Sequence, residues 1–132
     1  MINITIRSEF EDQVSKRDIR PAVRAVLSAE SVPSEAELSI VITDDREIKT
    51  LNRRFRNQDT ATDVLAFADD GDDAFVTAVD DAPYLGDVII SLPRAQVQAS
   101  ERGHATRHEL HILVVHGVLH LLGYDHATAA QQ

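Results

Sequence analysis

The stretch from residue 107 to residue 122 constrains the fold more than any other part of this 132-residue chain. If it forms one helix, apolar side chains cover almost its whole circumference, and such a helix lies inside a hydrophobic core. It is also shorter than the roughly 20 apolar residues that a membrane span needs. We therefore expect a buried helix whose apolar residues are Leu110, Ile112, Leu113, Val114, Val115, Val118, Leu119, Leu121 and Leu122.

Both ends of this helix carry recognisable residues. Thr106 and Glu109 have the S/T-x-x-E spacing of a capping box, which predicts a helix that begins at Arg107. Gly123 follows the apolar stretch and suits the left-handed residue just beyond a helix C-terminus.

Three of the six histidines of the chain fall in the string HGVLHLLGYDH, which spans residues 116–126. His116 and His120 are four residues apart, so a helix places them on one face, about one turn apart. A chain that turns at Gly123 can bring His126 to the same ion. Three neutral imidazoles with one open position are typical of a catalytic zinc site. No cysteine is present, so any metal site must use histidines and carboxylates.

Histidines on apolar helices also have a simpler explanation. A lone one is more often a hydrogen-bonded core residue than a ligand, but two at this spacing both need polar partners when buried. We interpret His116, His120 and His126 as metal ligands. The remaining histidines point elsewhere on the helical wheel or precede the helix, and we expect surface or capping roles for His104, His108 and His111.

The rest of the sequence predicts alternating strands and helices in one domain over residues 1–132. Alternating or continuous apolar patterns predict strands at 2–7, 37–43, 64–67 and 85–91. Helices are predicted at 16–30, at 44–55 with Asp44 as N-cap and with Ile48, Leu51 and Phe55 on one apolar face, and at 93–102. Pro21 favours a later start near Arg20 for the first of these helices. Residues 68–83 are predicted to form an acidic loop.

Net charge limits the possible partners. The formal charge of -9 argues against a protein that coats nucleic acids without specificity. Six aspartates between residues 69 and 81 supply much of this charge, and without them the charge is -3 (-9 + 6). The first residues alternate like a strand and lack the basic and apolar regions of a signal peptide. We expect a cytoplasmic protein with no membrane partner.

The histidine string allows two families to be compared. Its H-x-x-x-H-x-x-G-x-x-H spacing is that of metzincin proteases, but Gly117 stands where those enzymes have a glutamate as general base. The whole string instead resembles the YbeY family of metal-dependent endoribonucleases. LNRRFRNQDTATDVLAF at 51–67 and LGDVIIS at 85–91 resemble the same family, in the same order, with Ala66 in place of its usual serine.

The resemblance implies an α+β fold, with a mixed sheet of about four to five strands flanked by helices and a buried C-terminal helix that carries the metal. It implies one zinc ion (Zn2+) per chain, held by His116, His120 and His126. It places Arg56 on the functional arginine of the family. The implied activity is an endoribonuclease that prefers single strands and matures ribosomal RNA, notably the 3′ end of the small-subunit RNA. Ribosome quality control, and ribosomes or ribosome-associated proteins as partners, are implied as well.

A basic cluster surrounds Arg56 and can be interpreted in two ways. Its members are Arg46, Lys49, Arg53, Arg54 and Arg56. The cluster is either a solvated helix face partnered by Asp44 and Glu47, or a phosphate clamp beside the metal. In a clamp, Arg56 is catalytic and Arg53 and Arg54 bind substrate.

Several acidic residues have predicted supporting roles. Asp125 is placed to orient a histidine ligand. Asp87 is expected to cap or orient nearby backbone. Asp59, Thr62 and Asp63 are expected to hold the loop after Arg56 by local hydrogen bonds.

Two alternative functions stay open from the residues alone. One is a zinc hydrolase of another class, an amidase or peptidase. The other is a non-catalytic ribosome-assembly factor in which zinc is structural.

Overall fold

A four-stranded mixed sheet organises the part of the chain that the computed structural model describes, which is residues 1–58, 62–68 and 83–124. The strands are β1 (Ile2–Ile6), β2 (Glu37–Thr43), β3 (Val64–Ala68) and β4 (Tyr84–Ser91). Their order in the sheet is β1-β2-β4-β3. Strands β1, β2 and β4 are parallel, and β3 is antiparallel to β4. The predicted mixed sheet and α+β class are confirmed.

The described helices are α1 (Arg20–Ala29), α2 (Asp45–Arg56), α3 (Leu92–Arg102) and α4 (Thr106–Leu121), with 3₁₀ turns at Ser8–Phe10 and Lys16–Asp18. The later predicted start of α1 is correct, because Pro21 occupies the first turn, where no backbone donor is needed. Asp44 caps α2 as predicted, since its carboxylate accepts from the Glu47 N–H at 2.9 Å.

The sheet separates two apolar layers. Val88 and Ile90 of β4 and Ala66 of β3 face a large core shared with α1, α3 and α4. Leu65 and Ile89 point the other way and pack on Ile48 of α2. Because side chains alternate along a strand, α2 lies on the sheet face opposite α4.

The predicted buried helix is α4, which packs on β3, β4, α1 and α3. It approaches the sheet very closely at Gly117, where a Cβ atom would lie 2.4 Å from Val88 Cγ1. A second close approach involves Gly86 of β4, where a Cβ atom would lie 2.9 Å from Leu121 Cδ2. At Gly117 no side-chain atom fits between helix and sheet. At Gly86 a Cβ atom would also overlap the Phe67 carbonyl oxygen of β3, and the φ of 137° itself favours glycine.

The predicted capping box at the start of α4 is wrong. The helix begins at Thr106 behind Ala105, without a side-chain cap. Glu109 is fully buried and accepts from Arg102 Nη1 at 2.7 Å, while its other oxygen lies 2.6 Å from His104 Nε2. The carboxylate therefore joins the end of α3 to the start of α4, and it does not turn back to its own helix terminus.

The three histidines that were not expected to bind metal differ in exposure. His108 is exposed, as predicted. His104 is partly buried against Glu109, and the half-buried His111 places Nε2 2.7 Å from the Asp18 carbonyl oxygen. The contacts of His104 and His111 therefore attach α4 to the segments that precede it in the chain, which is a structural role.

Within residues 1–58, 62–68 and 83–124, no helix combines the length and apolar character that crossing a membrane requires.

The close contact at Gly117 predicts that alanine at this position changes stability in the direction opposite to that expected from helix propensity. Alanine is a better helix former than glycine by about 1 kcal/mol. Even so, Gly117→Ala should lower the free energy of unfolding by about 1 to 3 kcal/mol, because the new methyl group overlaps Val88. Urea denaturation measures the change.

Val88→Ala supplies the matched background for this test. In that background Gly117→Ala should cost little, since the opposing methyl groups are gone. A single variant as stable as the parent would show that α4 can move away from the sheet without penalty.

Candidate functional site

His116 and His120 lie one turn apart on the final two turns of α4. His116 is exposed and His120 is half-buried, while the neighbouring Gly117 and Val118 are buried against the sheet. The helix thus turns its apolar side inward and presents two imidazoles at the spacing that allows both to bind one ion.

The described residues supply two of the three predicted metal ligands. His126 and Asp125 both lie outside the described residues. In the described segments, no group of three His, Cys, Asp or Glu side chains is assembled that could hold an ion. A complete site therefore needs a ligand from outside the described residues.

The backbone after α4 turns as the sequence predicts. Gly123 has φ of 102°, and its N–H donates to the His120 carbonyl oxygen at 3.0 Å. The Tyr124 N–H donates to the Leu119 carbonyl oxygen at 3.0 Å. These two bonds form a Schellman motif, which ends the helix and reverses the chain.

Tyr124 attaches the turn to α1. Its hydroxyl donates to Glu30 Oε1 at 2.6 Å, just beyond the last residue of α1. This hydrogen bond to a carboxylate raises the pKa of Tyr124. The chain therefore leaves residue 124 from a defined position beside the end of α1.

Position 117 cannot carry the general base of a metzincin. A glutamate there would have to place its Cβ 2.4 Å from Val88 Cγ1, in the tight interface between α4 and β4. The peptidase mechanism is thus excluded by packing as well as by the absence of the carboxylate.

Arg56 reaches β3 from the C-terminus of α2. Its Nη2 donates to the Ala66 carbonyl oxygen at 2.6 Å, and its guanidinium carbon lies 5.3 Å from the centre of the Phe67 ring. Ala66 pairs with Val88, the residue against which Gly117 packs. The arginine and the histidine helix come from opposite faces of the sheet and meet the same pair of strands.

Arg53 and Arg54 are exposed on the last turn of α2, as expected for residues that contact substrate. The acids proposed to neutralise this cluster have other roles. Asp44 caps α2, and both Asp44 and Glu47 lie 3.6 Å from Arg7 Nη1. Both acids thus form ion pairs with Arg7, and the solvated helix face and the phosphate clamp both stay predictions for the cluster.

The contacts of Asp87 also correct a prediction. Its carboxylate accepts from the Tyr84 hydroxyl, and that hydroxyl accepts from Ser39 Oγ at 3.0 Å, so Asp87 orients a side chain. Burial, and then the bond to Asp87, raises the pKa of Tyr84 to about 12. The patterns of the individual strands contain no indication of this contact between β2 and β4.

Asp63 makes a hydrogen bond to a residue more distant in the chain than predicted. Thr62 donates to it locally at 3.3 Å, but its Oδ2 also accepts from Gln98 Nε2 of α3 at 3.2 Å. The start of β3 is therefore attached to α3. Asp59 lies outside the described residues.

Comparisons with known proteins identify the family and the fold of this chain. The family described as Endoribonuclease YbeY matches this chain over residues 2–132. A Chloroflexus aurantiacus protein named Endoribonuclease YbeY is 55% identical over 109 residues, which cover 82% of this chain and 71% of the relative. One of the same name from Roseiflexus castenholzii is 44% identical over 126 residues, covering 96% and 79%. The solution structure of a Thermotoga maritima protein matches with a TM-score of 0.61 at 27% identity, covering 96% of this chain and 75% of that one.

The turn at Gly123 gives a prediction about stability. Gly123→Val should lower the free energy of unfolding by about 1 to 2 kcal/mol, because a β-branched residue is poorly accommodated at positive φ. Gly123→Asn is the control, since asparagine tolerates this conformation better. Urea denaturation of both variants checks the effect, and equal stability of the valine variant and the parent would contradict it.

Proposed function

This chain belongs to the YbeY family of endoribonucleases, and we propose that it is a zinc-dependent enzyme that cleaves single-stranded RNA during ribosomal RNA maturation. The observation that carries the proposal is the convergence on β3 and β4 of Arg56 from one sheet face and the histidine helix from the other. We further propose the 3′ end of the small-subunit RNA as a substrate, a role in ribosome quality control, ribosomes or their associated proteins as partners, and a cytoplasmic location.

We propose that His116, His120 and His126 hold the metal. The two described histidines fit this role because neutral imidazoles one turn apart suit zinc, and the chain has no cysteine to compete. The turn at Gly123 ends α4 before His126, the proposed third ligand, and Asp125 is proposed to orient one of the histidines. When bound, zinc would supply Lewis-acid activation of water near neutral pH.

Arg56 is proposed to contact the reacting phosphate. A guanidinium has five N–H donors, and the Ala66 carbonyl occupies Nη2, so the group is oriented by the strand while further donors stay available. Guanidinium groups suit phosphate oxygens and stabilise charge that develops on them. Arginine cannot act as a general base, so its role is electrostatic and positional.

Arg53 and Arg54 are proposed to bind the RNA backbone beside this centre. They extend the basic surface along the last turn of α2, where a local positive charge is needed because the whole chain carries a formal charge of -9. Contacts of this kind add affinity and leave the chemical step unchanged.

Metal analysis combined with RNA cleavage tests the proposed activity. The parent should contain one zinc ion per chain, lose RNA cleavage on chelation and regain it on addition of zinc. His116→Ala and His120→Ala should each lose most of the metal, since each removes one of three protein ligands. His108→Ala and His111→Ala are controls on the same helix. Zinc loss from His108→Ala equal to that from His116→Ala would contradict the assignment.

Arginine variants separate binding from chemistry. Arg56→Ala should mainly slow single-turnover cleavage, because its proposed partner is the reacting phosphate. Arg54→Ala should keep that rate but weaken binding, and it should reduce the slope of log K against log salt by about 0.7, the value for one single-strand phosphate contact. An Arg56→Ala variant that keeps zinc and full cleavage would favour a non-catalytic assembly factor with structural zinc.

A further inference from the structure

Phe55 departs from the predicted packing of α2. The 3.6-residue spacing groups it with Ile48 and Leu51 on an apolar face, but 61% of Phe55 is exposed. Asn52, one turn before the end of the helix, is buried instead, with 3% of its surface exposed. Among the described residues, the apolar cluster beneath α2 is complete without this phenylalanine.

The exposed ring belongs to an ordered array at the end of α2. Phe55 meets the half-buried Phe67 of β3 edge-to-face, with 5.6 Å between ring centres and 67° between ring planes. The guanidinium carbon of Arg54 lies 5.8 Å from the centre of the Phe55 ring, and that of Arg56 lies 5.3 Å from the Phe67 ring. Each of the two aromatic rings thus has one cation beside it.

Contacts with β3 hold the array in place. The carbonyl oxygen of Ala66 fixes Arg56, and the Phe67 ring supports Phe55 from the strand side. An aromatic ring that is already oriented loses little conformational entropy when a ligand stacks on it.

The chemistry of this array matches an unpaired nucleobase. Proteins bind single strands by stacking bases on exposed aromatic rings while neighbouring cations contact phosphates. Phe55 offers a ring face, and Arg54 and Arg56 on either side of it in sequence offer the cations. A paired base inside a duplex could not reach such a ring without leaving its stack.

We propose that Phe55 forms a base-stacking subsite, on which a nucleotide next to the cleaved phosphodiester places its base. This proposal rests on the proposed function, because it assumes that Arg56 contacts the reacting phosphate. Phe55 is then a positioning residue that holds the strand for Arg56. Stacking on a hydrocarbon ring reads no base edges, so the subsite selects unpaired nucleotides without a strong sequence preference.

Binding of short RNA to the full chain under chelation tests the subsite without cleavage. Phe55→Ala should weaken binding by about 5- to 150-fold, the effect expected from loss of one base–aromatic stack. Phe55→Trp should bind at least as tightly as the parent. Val97→Ala removes another exposed apolar side chain, 52% exposed on α3, and should bind like the parent.

A series of oligonucleotides with one abasic position each shows whether a base is the partner. At one position, loss of the base should weaken binding to the parent, and Phe55→Ala should then cause no further loss. A Phe55→Ala defect that persists with every abasic oligonucleotide, or parent-like binding by Phe55→Ala, overturns the subsite. The second result would leave Phe55 as a contact for a protein partner.

Cleavage with zinc separates this proposal from the proposed function. A chain that shows the stacking pattern but never cleaves RNA retains the subsite and loses the proposed endoribonuclease activity. A zinc-loaded Phe55→Ala variant with the kcat/KM of the parent on single-stranded RNA would overturn the subsite and leave the activity intact.

Discussion

The contact between Gly117 and Val88 determines how the histidine helix lies on the sheet. Because nothing larger than a hydrogen atom fits at position 117, the backbone of α4 rests almost directly on β4. The second contact, between Leu121 and Gly86, lies one turn further along the same helix. Two such contacts along one helix oppose both rotation and lifting, since close-packed interiors do not deform continuously. His116 and His120 lie on the outer side of this helix and share its fixed orientation, which suits the metal-binding role proposed for them.

The distribution of charge along α2 complements this rigid centre. Asp45 and Glu47 lie in its first turn, and Arg53, Arg54 and Arg56 lie in its last turn. This arrangement agrees with the helix macrodipole, which favours acids at the N-terminus and bases at the C-terminus. The acids are also occupied, because Arg94 pairs with Asp45 at 3.3 Å and Arg7 with Glu47 at 3.6 Å. A strongly acidic chain thereby keeps a basic surface at the end of one helix, beside β3.

The features that the sequence predicted correctly depend on residues close together in the chain. The strands, the N-cap Asp44 and the turn at Gly123 are all determined by local backbone and side-chain preferences. Glu109 was misassigned because the spacing from Thr106 is also compatible with a buried ion pair, and only the position of Arg102 decides between them. Phe55 was misassigned because helical periodicity identifies a face but not the point where the partner sheet ends.

Prediction of the proposed metal site is likewise limited to residues that are close together in the chain. The spacing of His116 and His120 is a property of one helix, so the sequence could place them together. The approach of Arg56 to the Ala66 carbonyl joins two elements from opposite sides of the sheet. Local patterns contain no information about that distance, and the sequence indicated Arg56 only through the basic cluster and the family resemblance.

The parallel pairing of the strands affects how the chain reaches this structure during synthesis. Ile2 pairs with Leu38, and Leu38 pairs with Gly86, so both parallel pairings join residues far apart in the chain. Each pairing must close a long loop, which costs chain entropy before the new contacts stabilise the sheet. Helix α4, which covers β3 and β4, follows all four strands in the chain. Part of the apolar sheet face therefore stays uncovered until this last helix leaves the ribosome. Nascent chains at that stage are the ones most exposed to aggregation and most dependent on chaperones.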